Sequence, residues 1–556
     1  MQAAWLALII ATLYLSYFHN LGVIGLVGPD EPRYAWIARE MAESGDWITP
    51  RLYGKPWFEK PVLYYWEAAA SFKLFGVSEA SARLPSALSA LLATLGMAWL
   101  AWRIYGGETA RWLLLLLPTT AGMIGFSHAA ATDMPFAGML TLALVCASGV
   151  VGLLPDVKPS SLRSSPVLAL FGFFLGLAVL AKGPAAIILS GGAVLAWATL
   201  TKRWRDAFRC LHPVAIASFC ATALPWYVLC AQRNSDFFRV FILEHNFKRY
   251  LTPEFQHIQP FWFYVPVILV AVLPWAVILA WCAVLGAGRV MQNKRVGATT
   301  LFLLCWVAFC ILFFTASKSK LPGYVLPAIP AIGLLFTRSI LILPLVHAKS
   351  FRWVVTTYAA MSLAGGIALI TIGKQISAAP WKGDALIVGG CVVLAFALSS
   401  VLLTLGRGHL PIAALCVLPM FLLLATFSRL AYPWFRQDPS GRTLAGALAA
   451  NHVPASEVQV HAMKRGQLYS LNFYLHREIQ PWNAAEAGSR YLLVSSRSCD
   501  EVTGPSFVCS TPQELRKSGW FLYRVESRRS VGGPDDLGGL GGRSDVGRDQ
   551  SDRQPR

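Results

Sequence analysis

The chemistry this sequence offers is carried by two acidic stretches and a scatter of basic residues. Asp30 and Glu31 stand in GPDEPRYAWIAREM, just after the first apolar run, and Asp133 stands in SHAAATDMPF between two later runs. A carboxylate at a membrane edge is costly unless it is used or paired. Capping a helix accounts for either aspartate alone, Asp30 ahead of Pro32 and Asp133 ahead of Pro135. It does not account for two such acids in matching surroundings on one side. The cations are Lys60 in FEKP, Lys182 in AKGP, Arg249 in NFKRY, and Lys318 and Lys320 in SKSKLPGY, where Tyr324 adds a hydroxyl. Such residues gathered at a membrane edge suit a phosphate; the competing reading is interfacial snorkelling. Together the two sets point to group transfer from a lipid phosphate, and suit a phosphate-linked sugar on a polyprenyl carrier. The cations would stabilise the leaving phosphate. The acid would activate the acceptor or stabilise a sugar cation. No P-loop, dinucleotide fingerprint, HExxH or CxxC spacing is present, so no nucleotide cofactor is expected.

The elements that position these residues follow from composition. The chain has 556 residues, 55% apolar and only 14% charged, with a mean hydropathy of +0.52. A soluble domain carries roughly 25% charged residues, and a membrane β-barrel would show short alternating stretches instead of long apolar runs. The fold class expected is a polytopic α-helical membrane protein of about thirteen transmembrane helices. The spans read as 3–20, 82–104, 111–127, 133–154, 166–181, 184–201, 211–230, 261–286, 298–316, 321–343, 352–374, 383–406 and 410–429. The net charge of +19 is not a nucleic-acid signal, because the excess Lys and Arg lie mostly in short loops between apolar runs. Alternate short loops hold fifteen against five Lys and Arg, which places the richer side in the cytoplasm. The first run lacks a basic leader and a nearby small-residue cleavage site, so it reads as an uncleaved first helix. By this topology Asp30, Asp133 and the candidate cations all face outward, and the C-terminal region is external. Cys499 and Cys509 are the two cysteines of that region; in an oxidising compartment they are expected to form a disulfide.

Outer loops at 21–81 and 231–260 interrupt the transmembrane domain, 1–429. The first reads as two helices, 31–43 and 61–75, and the Phe-rich second loop as another. Their aromatic content suggests that they lie along the outer membrane surface. Residues 430–527 mix a helical stretch with short strand-like runs and read as a small external α/β domain. Residues 528–556, rich in Gly, Asp and Arg, have no apolar period and are expected to be disordered.

In order along the chain, GPDEPRYAWIAREM, WFEKPVLYYW, TDMPF, AKGP, EHNFKRY and SKSKLPGYVLPAIP resemble the bacterial undecaprenyl-phosphate-aminoarabinose:lipid A transferase family. These are membrane-embedded glycosyltransferases of the GT-C type, related to protein O-mannosyltransferases. The resemblance covers about residues 1–430 and fits the external domain. It implies transfer of 4-amino-4-deoxy-L-arabinose from undecaprenyl phosphate to lipid A phosphates at the periplasmic face of the inner membrane. The transfer would proceed with inversion, giving a less anionic outer membrane and resistance to polymyxin. It implies Asp30 as the leading catalytic carboxylate, with Asp133 assisting and Glu31 beside it. Lys60, Arg249 and Tyr324 would hold the carrier phosphate, with Glu59 helping to bind substrate. A divalent ion such as zinc, if used, would find His245 as a ligand, with Glu486 as a possible partner. The alternatives are a polyprenyl-phosphate-sugar transferase acting on a protein hydroxyl or a glycan, and a lipid flippase. A flippase would show internal repeats and charges at the bilayer midplane, and neither is evident.

Overall fold

The computed structural model describes residues 2–155, 165–241, 244, 258–291, 296–346, 349–357, 360, 364, 367, 371, 440–483, 491–495, 499–503, 507–515 and 519–527. Two compact units emerge. The larger comprises Met1–Gly446 and Lys464–Glu478, the smaller Ala447–Met463 and Ile479–Arg556.

The larger unit opens with α1 (Gln2–Tyr17), α2 (Glu31–Ser44), a two-stranded ribbon β1 (Arg51–Leu52) and β2 (Lys55–Pro56), and α3 (Leu63–Phe75). The apolar helices α4 (Glu79–Tyr105), α5 (Gly107–Leu116), α6 (Ala121–Ser127), α7 (Asp133–Val150), α8 (Ser165–Lys182) and α9 (Ala185–Thr201) follow. A short α10 (Trp204–Ala207) leads into α11 (Pro213–Arg233). Six helices among the described residues are long and apolar enough to cross a membrane, and up to eight crossings result if each of two bent pairs is one span. The ten spans expected between residues 3 and 343 each coincide with one of these helices, a bent pair, or the shorter apolar helices α1 and α9. Helix α4 packs on α7 closely, and Gly138 permits it: a Cβ there would lie 2.8 Å from the Ser89 carbonyl oxygen.

Two spans depart from expectation: 111–127 is broken between α5 and α6, which are bent by 63°, and 261–286 is bent further. Residues 261–286 form two helices, Phe261–Ala271 and Ala276–Gly288, bent by 120°. Pro274 lies in the break and has no N–H to carry the hydrogen-bond ladder across it. Of the three remaining spans, 383–406 and 410–429 lie outside the described residues, as does most of 352–374.

The helices of the first outer loop form as their patterns predict, but not as amphipathic surface helices. Tyr34, Ala35, Ile37, Ala38, Tyr64 and Tyr65 are all buried in the main core. The aromatic residues of α2 and α3 therefore pack inside the protein. Burial raises the Tyr34, Tyr64 and Tyr65 hydroxyls well above the usual tyrosine range, helped by neighbouring carboxylates. Part of the second loop behaves alike. Phe237 and Phe241 are buried and their rings stack, 5.7 Å apart, beside Trp226, Tyr227 and Phe58.

Glu67 on α3 is an acid in an apolar setting. Its Oε2 is buried without a hydrogen-bond partner among the described residues, and burial pushes the carboxyl from 4.5 up to about 8. Between those pH values the folded chain holds a proton that the unfolded chain has released. Stability therefore falls as pH rises through that window. Glu67→Gln is expected to flatten this dependence, raising the melting midpoint by a few degrees at pH 8 and leaving it unchanged near pH 4.5, as read by thermal unfolding in detergent.

In the smaller unit, β3 (Val458–Val460), β4 (Gln480–Pro481), β5 (Tyr491–Val494), β6 (Phe507–Cys509) and β8 (Phe521–Ser527) form a sheet in the order β4-β3-β5-β8-β6, with β7 (Gln513–Glu514) also pairing β8. Strand β3 runs parallel to β4 and β5, whereas β8 is antiparallel to its neighbours. The strand-like runs thus do form a small sheet near the C-terminus. A disulfide joins Cys499 to Cys509. The helix Arg465–Leu475, which falls within the stretch 430–527, belongs to the larger unit.

Candidate functional site

Asp30 sits at the start of α2, yet its side chain makes no capping bond. It turns instead to Arg33, whose Nη2 lies 2.5 Å from Asp30 Oδ1. The two residues are one helical turn apart. Arg33 is 5% exposed and Asp30 54%, so a buried cation holds a carboxylate that reaches outward. The other arm of Arg33 pairs with Glu59 at 2.9 Å, and Glu59 lies 3.9 Å from Lys60 Nζ. Burial acts to lower the Arg33 pKa, but Glu59 and Asp30 outweigh it and the guanidinium stays charged. Its planar face also rests near the rings of Tyr34 and Trp57, at 5.2 and 5.3 Å.

Glu31 is placed differently from the catalytic role expected of it. Both carboxylate oxygens are engaged: Oε1 accepts from Arg83 Nε at 3.0 Å and Ala130 N at 2.8 Å, Oε2 from Arg83 Nη2 at 2.8 Å and Val27 N at 2.9 Å. With its acceptor sites filled and the group buried, Glu31 fixes the backbone. Arg83 on α4 completes the knot by donating to the carbonyls of Leu21, Ile24 and Gly25. All its N–H directions are used.

Through Ala130 this knot reaches the second acid, three residues along the chain. Asp133 is the first residue of α7, and its Oδ1 accepts from Lys182 Nζ, the last residue of α8, at 2.6 Å. The Lys182 ammonium lies 4.9 Å from the Tyr324 ring centroid. Asp133, Lys182 and Tyr324 thus form one group, and Asp30, Arg33, Glu59 and Lys60 another. The Glu31–Ala130 bond joins the segments that carry them.

Gly323 closes the second group. A Cβ there would lie 2.7 Å from Asp133 Oδ1 and 2.9 Å from the Phe126 ring. Gly323→Ala is expected to displace the Asp133 carboxylate and lower turnover about tenfold or more while the protein still folds, as measured by initial rates on gel-filtered protein. An apolar cavity of about 470 Å³ begins next to this residue, lined by Phe126, Pro322 and Val325 and reaching Val267 and Val270.

The other expected cations fare differently. Lys320 is buried and uses one of its three donors on the Gln259 carbonyl at 3.1 Å, which secures a loop. Lys318 is exposed and joins neither group among the described residues. Arg249, His245 and Glu486 lie outside the described residues; among the described residues no group of three or more metal-ligating side chains is found.

Support for the Asp30 loop comes from far along the chain. Ser470 Oγ donates to the Leu26 carbonyl at 2.7 Å, and Tyr474 Oη accepts from Leu26 N at 2.9 Å while donating to Glu79 at 2.8 Å. Gly466 lies so close to Gly28 that a Cβ would fall 2.8 Å from the Gly28 carbonyl carbon.

Comparison with known proteins bears on this arrangement. Residues 3–241 match the dolichyl-phosphate-mannose-protein mannosyltransferase family model. The chain is 33% identical over 340 residues to an undecaprenyl phosphate-alpha-4-amino-4-deoxy-L-arabinose arabinosyl transferase of Edwardsiella ictaluri, covering 60% of this chain and 58% of that protein. It is 28% identical over 432 residues to the protein of the same name in Erwinia tasmaniensis, covering 75% of each. The fold is that of ArnT from Cupriavidus metallidurans, whose crystal structure bound to undecaprenyl phosphate superposes with a TM-score of 0.74 at 23% identity, over 96% of this chain and 100% of that one. By these matches the chain is similar to the aminoarabinose transferases, and it shares the fold of ArnT. The matched stretch spans a little under three fifths of the first relative's length. The family-model match covers all the residues of the Asp30 group and both Asp133 and Lys182, but not Tyr324. Arg33 and Arg83 are the members of this polar framework that motif reading missed. Arg33 had a signal in its i, i+3 spacing from Asp30. Arg83, fifty-two residues beyond Glu31, had none.

Proposed function

We propose that this chain transfers 4-amino-4-deoxy-L-arabinose from undecaprenyl phosphate to the phosphates of lipid A. The reaction takes place at the periplasmic face of a bacterial inner membrane. The observation that carries the reading is the half-exposed Asp30 carboxylate, fixed by buried Arg33 beside the Glu59–Lys60 pair. The names of the relatives supply the sugar and the carrier.

In this reading Lys60, with Arg249 and Tyr324, holds the carrier phosphate, and Lys182 stands behind Asp133. The carrier's tail lies along the apolar cavity that begins at Gly323. An oxygen of the acceptor phosphate attacks the sugar's C1 from the face opposite the leaving group. The C1–O bond to the carrier phosphate breaks with its electron pair going to that oxygen, and the configuration inverts. A phosphate monoester is largely dianionic near neutral pH, so the attack needs no proton removed. Asp30 then orients the reactants and stabilises the positive charge developing at the sugar ring, while the basic groups take up the charge on the leaving phosphate.

The test is incubation of the purified chain with the labelled donor and either intact or dephosphorylated lipid A. Transfer to the intact lipid alone is expected; equal transfer to both would overturn the acceptor assignment. The match to the mannosyltransferase model favours a second reading, with a protein hydroxyl as acceptor. A hydroxyl requires a general base, and transfer to protein in the same assay would select it.

A further inference from the structure

A cavity of about 570 Å³ opens between Pro56–Glu59 and the stretch that follows α11, from Arg233 to Val240. We propose that it seats the donor sugar and recognises its protonated amine. This rests on the aminoarabinose reading above and names the subsite that would make the enzyme selective for a charged sugar.

Most of the polar residues that line the cavity can accept a hydrogen bond. Glu59 and Asp236 bring carboxylates, and Ser235 a hydroxyl. Asn234 uses its amide nitrogen on Thr49 Oγ1 and the Cys230 carbonyl, both at 3.0 Å, so its oxygen is the atom left to accept. Arg233, the one guanidinium in the lining, is paired with Asp46 at 3.3 Å. Asp236 is 67% exposed, and Arg239 engages one of its two oxygens at 3.1 Å. An ammonium has three donors and no acceptor, which matches this wall.

Three further observations connect the cavity with a sugar on the carrier phosphate. Glu59 lines the cavity and Lys60 follows it in the chain, so a sugar one bond from a phosphate held at Lys60 reaches this wall. Trp57, which carries Arg33 against its ring, also lines the cavity and offers an aromatic surface to the C–H groups of a sugar. The Trp57 indole Nε1 is also buried without a hydrogen-bond partner among the described residues. A buried N–H without a partner is destabilising, and a ligand oxygen at this wall relieves that cost.

The experiment measures competition binding to the full chain in nanodiscs with three probes: a short-chain polyprenyl-phosphate 4-aminopentose, its uncharged N-acetyl derivative, and the bare polyprenyl phosphate. The intact protein is expected to prefer the amine about tenfold over the acetylated probe. Asp236→Asn is expected to reduce that preference roughly threefold or more, and Asp236→Lys to abolish it, with affinity for the bare phosphate unchanged. Because Asp236 is exposed, neither change disturbs folding. Equal affinity of the intact protein for the two sugars, or an undiminished preference in both variants, would overturn the subsite. Aminopentose transfer to lipid A, followed on the same preparations, separates the two levels. Transfer without any effect of Asp236 removes the subsite and leaves the function standing. An intact protein that neither binds nor transfers the aminopentose removes both.

Discussion

Asp30→Asn is expected to lower the rate of sugar transfer about 10²- to 10⁴-fold with little change in folding or in affinity for the carrier phosphate. The reason lies in the asymmetry of its ion pair. Arg33 is buried and keeps its second contact to Glu59 when the Asp30 charge is removed, so the framework survives. What disappears is the outward-reaching carboxylate, which in the proposed mechanism stabilises the developing charge at the sugar. An asparagine keeps the shape but supplies no negative charge. Single-turnover transfer from labelled donor, with binding measured separately, distinguishes loss of chemistry from loss of substrate. A normal rate in the variant would remove Asp30 from the mechanism.

Arg83→Met is expected to act on the fold instead. The side chain is 5% exposed and holds Glu31 together with three backbone carbonyls. Breaking one side of a buried pair costs roughly 3–5 kcal/mol, because the partner charge is left without compensation. Three carbonyls lose their donors as well. The expected result is a sharp loss of monodisperse protein on gel filtration. Replacing both partners, Glu31→Gln with Arg83→Met, is expected to recover part of it by removing the stranded charge. If Arg83→Met instead yields stable protein with normal activity, the knot is dispensable.

The contrast between these residues explains how much could be read from the sequence. The apolar runs show plainly because a bilayer demands long uninterrupted stretches, and α4, α7, α8 and α11 lie close to where hydropathy puts them. The helices 31–43 and 61–75 also show, through their local pattern. Their surroundings do not: Tyr64 and Tyr65 look like interfacial aromatics but are buried in the core, because segments distant in the chain cover them. Asp133 and Lys182 are each visible as lone charges in apolar text, yet their pairing joins the ends of two helices and has no sequence signature. Glu31 misleads for the opposite reason. Its neighbour Asp30 makes it look like half of a catalytic pair, and only the distant Arg83, with the backbone of Val27 and Ala130, gives it another task. Lys320 also has a contact its sequence does not announce, its bond to the Gln259 carbonyl. The bend in 261–286 was signalled by Pro274, but a proline within a membrane helix does not by itself determine the size of the bend.

The most direct test is mass analysis of lipid A after incubation with the purified chain and undecaprenyl-phosphate-linked aminoarabinose. One or two aminopentose residues attached through phosphate are predicted with the intact protein, and none with Asp30→Asn. Unmodified lipid A in the presence of active, donor-binding protein, or sugar attached away from the phosphates, would contradict it.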